Sequence, residues 1–382
     1  MNHQAFVPMV EVTRGDWVES AHRGAIAVVD MNGRLVASLG APTQPVFVRS
    51  CAKPIQALAL VCSGAADAFH LTEEELAVVC ASHSGEPEHA RLVASLLAKA
   101  KLDLHHLQCG VHLPFDAPSR RALAATGTEP SALHNNCSGK HAGMLVTARH
   151  LGLPLDDYTD PEHAVQVAIR GLLAFLAGLE PGEINVAIDG CTAPTFQLPL
   201  RGFALAFARL AAVGEGVPLA SSPEEHSSEF EEDDAEGAAP GFDLDAESAF
   251  PVSIREGLER VWNAMRRHPV LIAGSRGRIC TDLMRCAASL DVPLIAKSGA
   301  EGAYAMAVVK EGRAFGIALK VEDGAQRARD AASLETLFQL DLLPEEAERM
   351  MAAYHHQVVL NHRDQPVGET RARFRLSYGL PG

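Results

Sequence analysis

The chain has 382 residues, of which 47% are hydrophobic, and a formal net charge of −15. This length suffices for one large globular domain or two modest ones, and the negative charge disfavours binding to nucleic acids and to anionic membranes. No apolar run is long enough to span a bilayer, and residues 1–12 lack the pattern of a secretory signal. We therefore expect a cytoplasmic protein that binds neither nucleic acid nor membrane.

The N-terminal part predicts a β-hairpin followed by a short strand. Residues 25–29 and 35–37 are apolar runs separated by Asn32-Gly33, a pair favoured in tight turns. A further extended run at residues 46–48 leads directly to Ser50.

Helical patterns dominate the middle of the chain. Thr72 and Glu75 have the spacing of a capping box, in which each side chain bonds to the backbone N–H of the other residue. Apolar periodicity predicts helices at residues 52–61, 87–100, 141–150, 161–177 and 252–267. Residues 184–188 predict a strand that ends at Asp189.

Strand patterns return near the C-terminus, at residues 293–296, 305–310 and 315–319. Strands at both ends of the chain with helices between them predict an α/β (α+β) sandwich, whose sheet is assembled from both termini around a mainly helical middle.

The segment 214–247 differs in composition, being acidic and rich in Ser, Gly and Ala. Such a run buries too little apolar area to offset the entropy lost on ordering, so we expect a flexible insertion. A partner-binding role is the alternative.

Ser50-Cys51-Ala52-Lys53 has the form S-x-x-K. At the start of a helix the two side chains would share a face and could hydrogen bond, and the positive dipole end would help the lysine lose its proton. Neutral Lys53 could then take the proton of Ser50 as the hydroxyl attacks an amide carbonyl. Alone, the motif is weak, because a capping serine and an exposed lysine give the same pattern.

Two further motifs strengthen this hypothesis, Ser82-His83-Ser84-Gly85 and Lys297-Ser298-Gly299. Their order resembles the S-x-x-K, S-D-N and K-T-G series of penicillin-recognising serine enzymes, whose motifs meet in one cleft. Ser82 would pass a proton to the leaving amine, while Lys297 would hold Ser82 and keep the local potential positive. The backbone N–H groups of Ser50 and Ala300 would form the oxyanion hole.

The eight cysteines are scattered without a C-x-x-C pair, so we expect no disulfide framework. Cys137 and Cys191 lie in the polar runs 135–141 and 189–192. They could be ordinary buried thiols, or one could be a nucleophile paired with His141. Alternatively, both could bind zinc together with Lys140, His141 or Asp189, although lysine must first lose its proton.

An amino-acid substrate requires an acid for its ammonium group and a cation for its carboxylate. Asp189 is the best-placed acid, at the end of a predicted strand. Arg49, beside the proposed nucleophile, and Arg276 or Arg278 are the candidate cations.

With these motifs the chain resembles the rhizobial-type L-asparaginases, the asparaginase II family, over almost its whole length. The resemblance rests on residues 14–24, 49–54, 82–85, 135–141, 189–191 and 297–302. It implies a single catalytic domain over residues 1–382 with a serine β-lactamase/glutaminase-like fold. It also implies a homodimer that hydrolyses L-asparagine to L-aspartate and ammonia.

By this resemblance, Ser50 with Lys53 and Ser82 with Lys297 are two serine–lysine pairs. Metal ligands suspected in the family, with zinc as the expected ion, match Cys137, Lys140 and Cys191. Expected substrate-binding residues are Arg49, His83, Asn136, Asp189, Gly299, Ala300 and Glu301.

The chain departs from the family pattern at Cys280, where the resemblance leads us to expect an acid, and in the length of the acidic segment. Two other functions stay open. One is a related serine–lysine hydrolase, such as a glutaminase, peptidase or lactamase. The other is a non-catalytic amino-acid sensor, which would bind its ligand without needing Ser50.

Overall fold

A computed structural model describes residues 5–218 and 251–379, and β-strands from both ends of the chain form its main sheet. The strands, all paired antiparallel, are β1 (Val7–Arg14), β2 (Trp17–Asp30), β3 (Leu35–Leu39), β4 (Pro45–Phe47), β5 (Asn185–Ile188), β6 (Pro194–Pro199), β7 (Leu294–Ser298), β8 (Ala303–Lys310), β9 (Arg313–Val321), β10 (Gln357–Leu360), β11 (Pro366–Ala372) and β12 (Ser377–Tyr378).

Strand β2, 14 residues long, organises the main sheet because it pairs with three neighbours. Its first half pairs with β1, and its second half pairs with both β9 and β3. The order is β10-β11-β1-β2-β9-β8-β7, with β3 beside β2 and β12 beside β3. N-terminal strands therefore lie among C-terminal ones, which confirms the predicted sheet from both termini and the α/β class.

The predicted hairpin connects β2 and β3 through a longer loop than a two-residue turn. Gly33 N–H donates to the carbonyl of Asp30, and Asp30 N–H donates to that of Arg34. Gly33 adopts a φ of 83°, a left-handed conformation that glycine reaches without steric cost.

The chain between β4 and β7 is mainly helical, as predicted, whereas the helices between β9 and β10 were not predicted. The helices are α1 (Lys53–Cys62), α2 (Ala65–Ala68), α3 (Glu73–Val79), α4 (Pro87–Lys99), α5 (Ala117–Thr126), α6 (Ser138–His150), α7 (Ala164–Ala177), α8 (Leu200–Gly214), α9 (Ile254–Arg267), α10 (Pro269–Ala273), α11 (Ile279–Ser289), α12 (Gln326–Gln339), α13 (Glu345–Met350) and α14 (Ala352–His355). The capping box before α3 is formed, with Thr72 and Glu75 bonding reciprocally.

Helices α8 and α12 both pack on the main sheet. A Cβ at Gly316 of β9 would lie 1.8 Å from the carbonyl oxygen of Ala204, so α8 contacts the strand backbone directly. Successive residues 25–29 of β2 are all buried, which requires cover on both faces of the sheet. The helices α6, α7 and α9 pack around α1, behind the candidate site.

A second, three-stranded sheet with the order β4-β6-β5 was not predicted. Because β4 and β5 both run antiparallel to β6, they point in the same direction. The residues that follow them, Arg49 and Asp189, therefore emerge at the same end of this sheet.

The predicted flexible insertion 214–247 lies almost entirely outside the described residues. Within them, no helix is both long enough and apolar enough to cross a membrane.

Candidate active site

The turn after β4 presents Ser50 and buries Lys53. Residues Arg49–Ala52 form a 3₁₀ turn, and α1 begins at Lys53 with Pro54 in its first turn. Arg49 has a φ of 49°, which is strained for a residue with a Cβ and is typical of functional sites. Ser50 is half-buried, whereas Lys53 is only 1% exposed.

The side-chain amine of Lys53 lies among four groups from neighbouring segments. Its Nζ is 2.7 Å from the carbonyl oxygen of Ala81, 3.1 Å from that of Asn136, 2.9 Å from Ser82 Oγ and 3.3 Å from Cys137 Sγ. The carbonyl oxygens only accept, so they take two N–H groups. A neutral Lys53 amine would then have one lone pair left. The Ser82 hydroxyl or the Cys137 thiol can donate a hydrogen bond to it.

The expected direct hydrogen bond between Ser50 and Lys53 is not formed in the described structure. The lysine instead bonds to Ser82, because its side chain points inward from the start of α1 while the 3₁₀ turn leaves Ser50 near the surface. Burial lowers the pKa of Lys53, the nearby Lys140 charge lowers it further, and Cys137 opposes both effects.

Arg278 holds the segment that carries Ser82. Its guanidinium donates to the carbonyl oxygen of Ser82 at 3.0 Å and to Ser84 Oγ at 2.7 Å. Arg276 instead pairs with Asp116 at 3.0 Å and is largely exposed. Of the arginines weighed from the sequence, Arg278 therefore holds the segment of Ser82 in place, a role that the sequence analysis missed.

His83 is fully buried, and both ring nitrogens are bonded within the protein. Nδ1 accepts from the N–H of Gly85 at 3.1 Å, so Nε2 carries the proton and donates to Ser138 Oγ at 2.9 Å. Burial lowers the pKa of His83 well below its ordinary value and keeps the ring neutral. His83, predicted to bind substrate, therefore has both ring nitrogens bonded to protein groups, and its ring connects the Ser82 segment to Ser138.

Asn136 contacts both Lys53 and His112 through its backbone: its carbonyl oxygen lies near the Lys53 amine, and its N–H lies near the His112 ring. Its N–H donates to His112 Nε2 at 2.9 Å, and His112 Nδ1 donates to the carbonyl oxygen of Leu113 at 2.7 Å. The ring of His112 also stacks on Phe115, with centroids 4.8 Å apart. The sequence analysis missed His112, which stands outside every motif.

Strand β7 brings Lys297 against the Ser50 turn. Cys51 Sγ donates to the carbonyl oxygen of Lys297 at 3.1 Å, and a Cβ at Gly299 would lie 3.0 Å from the Val48 carbonyl oxygen. The Lys297 ammonium group donates to the Ser298 carbonyl oxygen at 3.0 Å. Burial, then the charge of Lys53, lowers the pKa of Lys297 to about 8.

The expected contact between Lys297 and Ser82 is likewise absent from the described hydrogen bonds. Ser82 Oγ instead contacts Lys53 Nζ. The Lys297 amine donates to the carbonyl oxygen of Ser298, the last residue of its own strand. Cys280, where an acid was expected, accepts from the Ser298 N–H at 3.2 Å and so helps to hold that strand end.

An open cleft of about 460 Å³ lies beside this turn. Arg49 and Asp189 contribute to its wall, and their side chains form an ion pair with Nη2 and Oδ1 2.6 Å apart. Burial alone would raise the pKa of Asp189, but hydrogen bonds from Arg49 and the Gly190 N–H lower it. Glu301, with a strained φ of 58°, also lines the cleft, and Ala300 beside it is exposed.

The predicted metal ligands lie together behind the Ser82 segment. Lys140 Nζ donates to Cys191 Sγ at 3.1 Å, and Cys137 Sγ contacts the Lys53 amine. A hydrogen bond from the Cys191 thiol lowers the pKa of Cys137 well below its ordinary value, while the same bond and burial raise that of Cys191.

Cys137 therefore loses its proton more readily than Cys191, and the two sulfurs lie between Lys53 and Lys140. Burial would lower the pKa of Lys140, but the two sulfurs raise it, so Lys140 is a cation here. These donors fit a soft ion such as zinc once Lys140 and Cys191 lose their protons, because two thiolates and an amine then converge.

Comparison with models of known protein families gives one match over most of the chain. A family model described as L-asparaginase II matches residues 10–232 and 235–372. No curated protein sequence matches the chain.

Three crystal structures of Mglu match, each at 13% identity. The first has a TM-score of 0.32 and covers 84% of this chain and 68% of that chain. The second, in the presence of 4.3M NaCl, has a TM-score of 0.33 and covers 85% and 62%. The third, the native form, has a TM-score of 0.31 and covers 85% and 67%. Similarity this low adds nothing to the fold described above.

Proposed function

Because the chain belongs to the L-asparaginase II family of amidohydrolases, we propose that it hydrolyses L-asparagine to L-aspartate and ammonia through a serine nucleophile. The observation that carries this proposal is the buried Lys53 amine, 2.9 Å from Ser82 Oγ at the base of the turn that presents Ser50. An amine and two hydroxyls gathered in this way supply a nucleophile and a route for its proton.

The Arg49–Asp189 pair suits the two charges of a free amino acid. Asp189 would receive the α-ammonium group and Arg49 the α-carboxylate. The Arg49 side chain is 26% exposed in the cleft wall, so a substrate carboxylate can reach its guanidinium from the cleft. Both groups lie at the same end of the second sheet, and Arg49 directly precedes Ser50.

In the proposed reaction, Ser50 Oγ attacks the side-chain amide carbonyl and its proton passes to Lys53, which acts in those molecules whose Lys53 amine has lost its proton. Lys53 hands a proton through Ser82 to the departing nitrogen, which leaves as ammonia. Water then cleaves the resulting aspartyl ester and regenerates Ser50. The Ser50-to-Lys53 contact forms in the substrate complex, since catalytic hydrogen bonds are often long without substrate.

Backbone N–H groups of Ser50 and Ala300 would stabilise the developing oxyanion. Ser50 lies in the first turn of a 3₁₀ helix, where N–H groups have no partner within the helix. Losing one such donor typically costs on the order of 3 kcal/mol of transition-state stabilisation.

The proposed zinc ion would be held by Cys137, Lys140 and Cys191. When bound, it would supply positive charge that attracts and orients an anionic group of the substrate. Without it, the Lys140 ammonium group supplies a charge of the same sign at this position.

Substituting the serines one at a time tests the nucleophile. We expect Ser50→Ala to lower kcat for ammonia release by about a thousandfold or more, because no other hydroxyl occupies its position. Calorimetry should still detect asparagine binding, because the Arg49–Asp189 pair is unchanged. Ser289→Ala, which removes a hydroxyl that bonds only to a carbonyl at the end of α11, is the matched control and should retain activity.

Full activity of Ser50→Ala would refute the assignment. Wild-type turnover of asparagine, glutamine and a chromogenic cephalosporin, measured side by side, separates the related hydrolases. Binding of asparagine by the wild type without any ammonia release would instead identify an amino-acid sensor.

A further inference from the structure

A second group of metal-ligand side chains lies outside the candidate active site, around α13 and α14. Glu348 of α13, His355 of α14 and the next residue, His356, bring three ligand atoms within 4.8 Å of one another. His355 Nδ1 and His356 Nε2 are each 3.9 Å from the same oxygen, Glu348 Oε1. In residues 5–218 and 251–379, no other three His, Cys, Asp or Glu side chains converge as closely.

His355 is held in the orientation of a metal ligand. Its side chain is 3% exposed, and its Nε2 lies 2.8 Å from Glu335 Oε2 on α12. Because a carboxylate only accepts, Nε2 donates to it, so the tautomer that can bind a metal has its lone pair on Nδ1. That buried Nδ1 has no hydrogen-bond partner in the described structure. A carboxylate that fixes the tautomer of a ligating histidine in this way is a common feature of metal sites.

We propose that Glu348, His355 and His356 bind a divalent transition-metal ion of the zinc type. Two imidazoles and a carboxylate suit zinc, nickel and copper rather than calcium or magnesium. The side chains of Glu348 and His356 are 50% and 49% exposed, so an ion can enter and water can complete a tetrahedral set.

The two distances to Glu348 require only a small adjustment of side chains. In a tetrahedral site with bonds of about 2.0–2.1 Å, ligand atoms lie roughly 3.3 Å apart. The two separations of 3.9 Å therefore close by about half an ångström, through rotation of the two exposed side chains, Glu348 and His356. His355, which is buried and bonded to Glu335, stays in place.

The bound ion would connect three elements of the C-terminal part. Glu348 belongs to α13 and His355 to α14, while Glu335 joins them to α12. His356 immediately precedes β10, the edge strand of the main sheet. Binding to the folded state alone would raise its stability in proportion to the logarithm of the metal concentration.

Zinc titration by calorimetry tests this site, using the full chain without a histidine tag. Cys137→Ser/Cys191→Ser provides a background without the thiol donors. In that background we expect one zinc ion per chain. The site variant Glu348→Gln/His356→Ala should weaken binding at least tenfold, and Glu335→Gln should weaken it by about 10–100-fold because the histidine loses its support.

The matched control is Glu346→Gln/His362→Ala, which removes the same residue types from two exposed positions nearby. It should bind zinc as the background does. Cobalt(II) in place of zinc should give visible ligand-field bands without a sulfur charge-transfer band. If the cysteine background does not fold, the wild type should bind one more zinc ion than the Glu348→Gln/His356→Ala chain. Equal zinc affinity and stoichiometry in the site and control variants would overturn the proposal.

Discussion

Lys297 is a buried amine whose charge depends on pH near neutrality. Burial and the charge of Lys53 lower its pKa to about 8, whereas an unfolded lysine keeps its proton up to about 10.4. The role proposed for Lys297, to keep the local potential of the site positive, requires its charge. We therefore expect kcat/KM for asparagine to fall as the pH rises through about 8.

Lys297→Arg tests the source of this pH dependence. An arginine stays charged, so the descending limb of the kcat/KM profile should move upward by more than one pH unit. Lys297→Met should lower kcat/KM at every pH. An unchanged limb in Lys297→Arg would assign the titration to another group.

Unfolding does not account for the expected fall. Because the folded-state pKa of Lys297 lies below the unfolded value, the unfolded chain binds more protons between about 8 and 10.5. This group therefore makes the folded state more stable as the pH rises through that range. Circular dichroism recorded along the same pH series is the control.

Single residues also show where sequence reasoning was limited. The motifs predicted that Ser50, Lys53 and Ser82 belong to one site, and the structure places Lys53 and Ser82 in contact. They did not predict that Lys53 would bond to Ser82 in the structure, since the direction of a long side chain depends on the packing of two distant segments, around residues 81–82 and 136. Nothing local marked His112, whose contact with Asn136 spans 24 positions.

At the scale of elements, α6 carries the Cys137–Lys140 region directly against α3. A Cβ at Gly139 would lie 2.0 Å from the carbonyl oxygen of Val78, which is far inside contact distance. We expect Gly139→Ala to push the two helices apart and to lower the free energy of unfolding by roughly 1–3 kcal/mol. Urea denaturation measures this change, and ammonia release should fall with it.

Gly171→Ala is the matched control for this substitution. Gly171 also lies inside a helix, α7, but a Cβ there would meet no atom within 4 Å. Alanine should therefore stabilise the protein, by up to about 1 kcal/mol, through its helix propensity. If both variants changed stability equally, the close contact between α3 and α6 would not explain the result.

Elements with strong local periodicity were predictable, and the second sheet was not. Helices such as α4 and α9 show a repeating apolar face, so their existence followed from the sequence. Strand β6 starts and ends with proline and pairs with β4 about 150 positions away. Neither the six-residue length of β6 nor the residues that flank it in sequence predicted a second sheet. The sequence therefore could not predict that Arg49 and Asp189 would meet.

At the scale of the whole molecule, neither end of the chain completes the main sheet alone. Strands β1 and β2 lie between β11 and β9, so N-terminal strands have C-terminal partners on both sides. We expect the fragments 1–218 and 251–382, expressed separately, to lack stable tertiary structure. Co-expression should restore a complex that releases ammonia from asparagine.

Near-ultraviolet circular dichroism of each purified fragment is the direct measurement. A native-like spectrum from either fragment alone would show that the two parts fold independently. The same result would contradict the prediction of a single domain over residues 1–382.

All eight cysteines are reduced and buried, so the reaction of each thiol with a reagent in solution reports local unfolding around it. A bulky, water-soluble thiol reagent should find no target in the native protein and eight in the denatured chain. The time course of labelling, followed peptide by peptide by mass spectrometry, would then rank regions by how often they open. Rapid labelling of the native protein would show that this interior is more accessible than its packing implies.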